Sequence, residues 1–460
     1  YALPFENRMH DFEAFLASFK PDVVGISASR YGFLNGIQYL EAVKKYDQKI
    51  YTMVGGAFAM SKPETVIGYE CVDMVALGDG EYVCEELCEK LKRGQEIYDI
   101  DGLWIKDEKK TLHRNGYRSL FNPNELPPLR FDLFNMKRLY RPVGGKIRCC
   151  IPLEISRGCP YRCNNCSVPL FAKRHRNSGK WFRIKSVQKI EEDINHYIKE
   201  YDPEYFFFMS PTFLGFPEEY TNDFIHMYSK YKIPFYMFTR PERIEQETIE
   251  KLLDIGLDRM SVGIECGNEY YRKNMLNRKY SNQLILDKFK ILNQLDVSVS
   301  TNVIIGMPDE TEEMIKETIR LLKAVKSDNV SITVSIYQAY ENTPLYHFCI
   351  ENGYYEKDYV SDTNVFSTNI KNPYLSEEKI MKYFHLFNLY VALEESQWPL
   401  LEQVDIADRE GRKKLQEFIE SSKGSRTGSV HHLDQLDDYQ PSELYEKIEK
   451  GREATPYGHC

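Results

Sequence analysis

Two hydrophobic rhythms run through this chain. From residue 22 to 106, short apolar runs of strand length alternate with stretches of helical spacing. The strand-like runs are DVVGIS (22–27), KIYTMVGG (49–56), VDMVALGDG (72–80) and GLWIK (102–106). Between them, FLNGIQYLEAVKKY (33–46) and EYVCEELCEKLKRG (81–94) place apolar residues three and four apart, the spacing of one helix face. Strands separated by helices predict a parallel sheet covered on both sides. Glycines close two of the strands, Gly55 and Gly56 after one, Gly78 and Gly80 after another. Strand carboxyl ends are where open α/β sheets take their ligands.

The rhythm fades over 107–150, where NPNELPPLRFDLF (122–134) is Pro-rich and reads as a linker. It resumes at about 151 with six strand–helix steps. The strands are LEIS (153–156), YFFFMS (205–210), PFYMFT (234–239), RMSVGIE (259–265), VSTNVIIG (299–306) and VSITVSI (330–336). The amphipathic stretches 187–201, 246–256 and 311–325 lie between them. Repeated βα steps with buried strands point to a barrel or part of one. Beyond about 370 the pattern is helical, with SEEKIMKYFHLFNLYVALEES (376–396) opening on the N-cap residue Ser376. From residue 421 the tail is polar and punctuated by Gly and Ser, and is expected to pack loosely or dock as an arm. The expected organisation is therefore α/β: a Rossmann-like domain over 1–106, a linker over 107–150, a partial (β/α)6 barrel over 151–370, and a helical region with a polar tail over 371–460.

Composition narrows the function classes. A length of 460 residues allows two or three domains, and 42% apolar with 28% charged residues is ordinary for a globular protein. The formal charge of -9 argues against a nucleic-acid partner, which favours a basic surface. No apolar run reaches membrane-spanning length, and the first twenty residues lack a secretory pattern. Eleven cysteines, an odd number without framework spacing, suit a reducing cytoplasm.

Three of those cysteines carry the chemistry. In EISRGCPYRCNNCSVP (154–169), Cys159, Cys163 and Cys166 fall within eight positions, after the first strand of the barrel series. Three thiols cannot pair off as disulfides, and a structural zinc site wants four ligands. Iron–sulfur clusters are held by cysteines at such short spacings, and three thiolates leave one iron of a 4Fe–4S cluster open. A zinc site completed by a distant histidine, or three unconnected core thiols, are the alternatives.

CPYRCNNC resembles the CxxxCxxC signature of the radical S-adenosylmethionine (SAM) superfamily. In that family the open iron chelates SAM, and its reductive cleavage gives a radical that abstracts hydrogen from an unactivated C–H bond. Other stretches are similar to the family in the same order. RIKSVQKIEEDI (183–194) looks like the Arg-x-Arg-Ser segment, which implies that Arg183 serves SAM. SVGIECGNE (261–269) resembles the segment whose glutamate, here Glu265, faces the nucleoside of SAM. NVIIGMPDET (302–311) resembles the glycine-proline motif beside the adenine, here with Gly306. YENTPLYHF (340–348) resembles a Pro-Gly-Thr-Pro-Leu turn with Glu-Asn in place of Pro-Gly. FMSPTF (208–213) departs from the acidic Asp-Asp-Thr-Phe common in the family. The basic run KRHRNSGKWFRIK (173–185) reads either as a solvated loop or as a place where Arg174, Arg176 or Arg183 holds an anion.

Residues 21–94 resemble the cobalamin-binding domain fused to many radical SAM enzymes. Gly78-Asp79-Gly80-Glu81 stands where that family usually shows Gly-Glu-Gly-Glu, and the resemblance implies that Gly55, Gly56, Gly78 and Gly80 line the cobalamin. The Asp-x-His-x-x-Gly motif, whose histidine takes the lower axial position of cobalt, is missing. TLHRNG (111–116) comes closest, which implies cobalt with no protein histidine beneath it.

The expected cofactors are a 4Fe–4S cluster, SAM and cobalamin, and the expected reaction is cobalamin-dependent methylation of carbon. The alternatives are radical cyclisation, rearrangement or C–C bond formation without net methyl transfer, and a non-catalytic iron–sulfur electron carrier. The resemblance further implies a small-molecule, lipid or peptide substrate and an electron donor such as flavodoxin or ferredoxin. No catalytic nucleophile is expected, because no Ser/His/Asp or Cys/His constellation stands out. The remaining cysteines are expected to be buried thiols, with Cys266 and Cys460 singled out because a free thiol near a radical can donate hydrogen.

Overall fold

The computed structural model describes residues 9–295, 297–355 and 367–404. The polar tail and Cys460 lie outside the described residues. The chain forms two compact units, each assembled from three stretches of sequence. The first comprises Tyr1–Leu126, Ser156–Ile184 and Gln338–Lys371; the second comprises Pro127–Ile155, Lys185–Tyr337 and Asn372–Cys460. The expected boundaries at 106, 150 and 370 therefore differ from the compact units, because the segments at 156–184 and 338–371 are grouped with the amino-terminal sheet.

That sheet has five strands in sequential order: β1 (Val23–Ser27), β2 (Tyr51–Gly55), β3 (Met74–Ala76), β4 (Leu103–Lys106) and β5 (Leu112–Arg114). β1 to β3 are parallel, as the alternation with helices requires. β4 and β5 are antiparallel, contrary to the all-parallel expectation. β3 and β4 are still joined through the helix Glu81–Lys92, whereas a tight turn joins β4 to β5. Asp107 Oδ1 accepts hydrogen bonds from the amides of Lys109 and Thr111, both at 2.8 Å, and folds β5 back as a hairpin. The helix Phe33–Tyr46 buries Phe33, Ile37 and Leu40 against Val54, Phe58, Val66 and Val75. Each such side chain contributes roughly 1.5–3 kcal/mol by leaving water. One buried charge is neutralised within this unit: Asp73 Oδ2 accepts from Lys44 Nζ at 2.5 Å and from the Thr52 amide at 2.9 Å.

The first strands of the second unit form a hairpin, β6 (Tyr140–Val143) and β7 (Lys146–Glu154), which starts in the stretch read as a linker and ends within the expected strand at 153–156. Its two-residue turn is Gly144-Gly145 with φ of +58° and +74°, left-handed geometry that glycine adopts without strain. A short ribbon in the first unit follows, β8 (Ser156–Arg157) with β9 (Arg183–Ile184). The large sheet then continues through β10 (Tyr205–Met209), β11 (Phe235–Thr239), β12 (Leu257–Glu265), β13 (Ser298–Ile305) and β14 (Val330–Ile336). Its order is β14-β13-β12-β11-β10-β7-β6, with six parallel strands and β6 antiparallel at one edge. Helices cross between successive parallel strands, and the edges β14 and β6 do not pair among the described residues. This is the partial barrel that the six βα steps predict.

Much of the phenylalanine and tyrosine content goes into this unit's core. Phe208 on β10 packs within 4.9–6.1 Å, centroid to centroid, of Phe213, Phe224, Tyr228 and Phe235. The helix Glu377–Ala392 starts where expected. Ser376 Oγ accepts from the Lys379 amide at 3.2 Å, and Tyr383 donates to Glu312 at 2.9 Å, joining this helix to Glu312–Val325. No helix among the described residues is long and apolar enough to cross a membrane.

Candidate cluster and cofactor site

The cysteine trio sits in the first unit, on a loop closed at its neck by the β8–β9 ribbon. Ser156 pairs with Ile184 and Arg157 with Arg183. At the start of the loop Gly158 has φ +78°, and a Cβ there would lie 2.5 Å from the Trp181 carbonyl oxygen. Only glycine fits that approach. Cys163 is buried, Cys159 and Cys166 are half-buried, and all three are thiols without disulfides. The Cys166 amide donates to the Cys163 carbonyl at 3.2 Å, forming a turn, and the Leu345 amide donates to Asn164 O at 3.2 Å.

The second contact brings YENTPLYHF onto the loop. Thr343 Oγ1 accepts from the Tyr346 amide at 3.2 Å and caps the helix Pro344–Glu351. Asn342, standing where the similar turn has glycine, adopts φ +60° and donates to Ser61 O at 2.8 Å. Asparagine tolerates that left-handed conformation better than most residues. Glu341 accepts from Arg30 Nη1 at 2.7 Å, both side chains being at most 3% exposed, and Arg30 also donates to Ala339 O and to the Tyr355 hydroxyl.

The donors are three thiols on one loop, Cys159, Cys163 and Cys166. In a 4Fe–4S cluster each thiolate binds its own iron, so three of them would hold three irons and leave the fourth open.

The four glycines expected at cobalamin divide into two kinds. Gly56 has φ +88°, and a Cβ there would meet the Ala28 backbone at 2.8 Å; Gly78 has φ +109°, and a Cβ would meet His175 Nε2 at 2.7 Å. Both are required by the protein's own packing. At Gly55 and Gly80, after β2 and β3, a Cβ would make only ordinary contacts, at 3.7 Å to Ala76 and 4.0 Å to Cys84, so the protein's own packing does not require glycine there. His113 of TLHRNG is engaged elsewhere, against Asp107 at 3.2 Å and stacked on Tyr98. His175 is 1% exposed; its Nδ1 donates to Phe171 O at 3.0 Å, and its Nε2 lies against Gly78.

Of the residues expected at SAM, Arg183 is in the first unit and is committed to a protein partner. Its Nη1 donates to Asp79 Oδ2 at 2.5 Å and to Phe121 O at 2.6 Å. Arg174, in the basic run, donates to the carbonyls of Met60 and Ser61. These two guanidiniums thus bind protein oxygens in the structure, while Arg176 is exposed. Glu265 and Gly306 are in the second unit, at the carboxyl ends of β12 and β13. Glu265 has φ +69° at a register shift between β12 and β13, and Arg278 Nη2 donates to its Oε1 at 2.7 Å. Gly306 has φ +72°, and a Cβ there would lie 3.0 Å from Ile380 Cγ2. Cys266 is wholly buried, and burial pushes its thiol up to about 12.

Three groups escape sequence reasoning. Asp79 collects Arg157, Arg183 and the Phe121 amide; Arg278 holds Glu265; and Glu310, fully buried, accepts from the Met307 amide at 3.1 Å. Spacing patterns do not encode such partners, although Asp79 stands out as the departure from Gly-Glu-Gly-Glu.

Comparison with known proteins agrees with this geometry. Residues 153–322 match the radical SAM superfamily and residues 1–88 match the B12 binding domain. The chain is 25% identical over 347 residues to the uncharacterized methyltransferase PH0819 of Pyrococcus horikoshii, covering 74% of this chain and 72% of that protein. It is 22% identical over 324 residues to the anaerobic magnesium-protoporphyrin IX monomethyl ester cyclase of Rubrivivax gelatinosus, and spans only 55% of that protein's length. In structure it is similar to the cobalamin-dependent SAM radical enzyme OxsB, with a TM-score of 0.63 at 15% identity, over 97% of this chain and 69% of that one. At that identity the likeness establishes the fold. The chain belongs to the radical SAM superfamily and carries a B12 binding domain ahead of its radical SAM domain.

Proposed function

We propose that the chain is a cobalamin-dependent radical SAM enzyme that methylates an unactivated carbon. One observation above all supports this reading: the neck of the three-thiol loop and the Gly78–Gly80 turn of the B12 binding domain belong to the same compact unit and meet at Asp79. Similarity to a protein named as a methyltransferase, over 74% of this chain, favours methyl transfer as the reaction.

When bound, the cluster with SAM supplies radical chemistry and the corrinoid supplies a methyl group. The chain's own work is placement. Cys159, Cys163 and Cys166 hold the cluster. Glu265 and Gly306 bind SAM. Gly55 and Gly80, which the protein's own packing does not require to be glycine, let the corrinoid approach the sheet, while Gly56 and Gly78 shape the turns. Arg183 supports the loop neck through Asp79. The substrate is a small molecule, lipid or peptide, and a flavodoxin or ferredoxin delivers the electron.

The test is anaerobic purification of the chain with iron, sulfide and cobalamin, followed by incubation with SAM and a reductant. Corrinoid and cluster absorption together, with both S-adenosylhomocysteine and 5′-deoxyadenosine as products, are the expected result. The similarity to a cyclase favours a second reading, radical chemistry without methyl transfer. It would give 5′-deoxyadenosine alone. A cluster that leaves SAM intact would point to an electron carrier.

A further inference from the structure

The neck of the cluster loop carries an electrostatic conflict. In the β8–β9 ribbon Arg157 and Arg183 are direct cross-strand partners, and their side chains are only 18% and 12% exposed. Like charges opposite one another on paired strands repel, and the more so with little water between them. Two carboxylates from the turn after β3 resolve it. Asp79 accepts from Arg183 Nη1 at 2.5 Å and from Arg157 Nη1 at 3.4 Å, and Glu81 Oε1 accepts from Arg157 Nη2 at 2.5 Å. Phe121 stitches the same point from a third segment: its amide donates to Asp79 Oδ2 at 3.0 Å, its carbonyl accepts from Arg183 at 2.6 Å, and its ring lies 5.5 Å beneath the Arg157 guanidinium. The four charges balance.

The placement of this node gives it a consequence. Arg157 is two residues before Cys159, and Gly158 between them is fixed against Trp181. Asp79 lies between Gly78 and Gly80, the turn that the B12 binding domain presents at the carboxyl end of β3. We propose that Asp79 is a positioning residue that locks the neck of the cluster loop to this glycine turn, so that corrinoid bound at the turn alters the environment of the cluster. The inference rests on the cluster and corrinoid assignments above, and adds a coupling between them that runs through one carboxylate.

The test uses the full chain, reconstituted anaerobically, in parent, Asp79→Asn and Asp79→Glu forms. The readouts are bound iron and the electron paramagnetic resonance spectrum of the reduced cluster, each with and without hydroxocobalamin. For the parent, cobalamin should shift the cluster spectrum. Asparagine keeps the bond to the Phe121 amide but leaves the two guanidiniums facing each other. That variant should hold at most half the parent's iron, or give a cluster spectrum that no longer responds to cobalamin. Asp79→Glu restores the charge and should recover the parent behaviour. If Asp79→Asn fails to fold, Asp79→Asn with Arg157→Gln removes one of the opposed cations and should regain iron; failure to regain it would overturn the proposal. An Asp79→Asn protein with parental iron content and a parental response to cobalamin would also overturn it, while leaving the enzyme reading intact. A parent protein that binds no cluster would instead sink the enzyme reading.

Discussion

Arg278 holds Glu265 in a backbone conformation that glutamate rarely adopts. Nη2 of Arg278 donates to Glu265 Oε1 at 2.7 Å, Nη1 donates to Gly263 O at 2.9 Å, and Glu265 itself lies at φ +69°. Gly263 makes this possible, since a Cβ there would fall 2.7 Å from Glu265 Oε1. Strain of this kind costs on the order of 1–3 kcal/mol and persists only where surroundings enforce it. The pair is 11% and 13% exposed, so breaking it strands a poorly hydrated charge. Arg278→Met should therefore destabilise the chain by about 3 kcal/mol. Arg278→Met combined with Glu265→Gln should recover at least half of that loss, because no charge is left unpaired. Denaturant unfolding of the four proteins measures the cycle; simple additivity would show that the pair has no coupling.

A second left-handed residue separates backbone strain from a side-chain bond. Asn342 combines φ +60° with a hydrogen bond from Nδ2 to Ser61 O at 2.8 Å. Asn342→Gly loses the bond but relaxes the backbone; Asn342→Ala loses the bond and keeps the strain. The alanine variant should be less stable than the glycine variant by about 1 kcal/mol. Equal thermal midpoints for the two would mean that the backbone there is unstrained.

The chemistry was far more legible in the sequence than the supports around it. CPYRCNNC states its donor set outright, and the apolar runs mark β1, β2 and the strands from β10 to β14 because buried strands leave a compositional trace. Charged and proline residues hide β6 and the start of β7 in the stretch read as a linker, so that only the end of β7 shows as the strand at 153–156, although RPVGGK carries the Gly-Gly of a two-residue hairpin. β4 was assigned the right span but the wrong direction, since periodicity marks an extended segment without its sense. The glycines at 56 and 78 read as ligand contacts, and the close approach of Ala28 and His175 is a second demand for glycine there that no local pattern shows. Asp79, Arg157 and Arg183 come from residues up to 104 positions apart, and nothing local announces such a meeting.

Thiol reactivity should sort the cysteines by burial. Cys88 is exposed, whereas Cys149 and Cys266 are buried, and burial pushes both of these thiols up to about 12. The thiolate is the reactive form. Iodoacetamide at pH 8 on the folded protein should label Cys88 readily and leave Cys149 and Cys266 more than tenfold slower, read by peptide mass spectrometry. Loading the cluster should protect Cys159, Cys163 and Cys166 together, and Cys163→Ala should abolish both that protection and the cleavage of SAM. Rapid labelling of Cys266 would revive it as a thiol open to chemistry.

Glu310 makes stability depend on pH with the opposite sign from an ordinary salt-bridged carboxylate. It is wholly buried, and burial raises its pKa to about 8 although the Met307 and Gly306 amides pull the other way. Below its unfolded pKa, about 4.3, both states are protonated and Glu310 contributes no slope. Between there and about 8 the folded chain keeps a proton that the unfolded chain releases, so stability falls as pH rises, by up to about 1.4 kcal/mol per pH unit. Above about 8 the slope vanishes. Glu310→Gln supplies a neutral side chain that can still accept from the Met307 amide, so it removes this dependence and leaves the other titrating groups in place. The difference in unfolding free energy, variant minus parent, should therefore grow steadily in the variant's favour from pH 5 to pH 8 and then level off. Urea unfolding across pH 5–9 gives the two curves. A constant difference over that range would mean that Glu310 does not change its protonation on unfolding, and that water or a counter-charge reaches it in the folded chain.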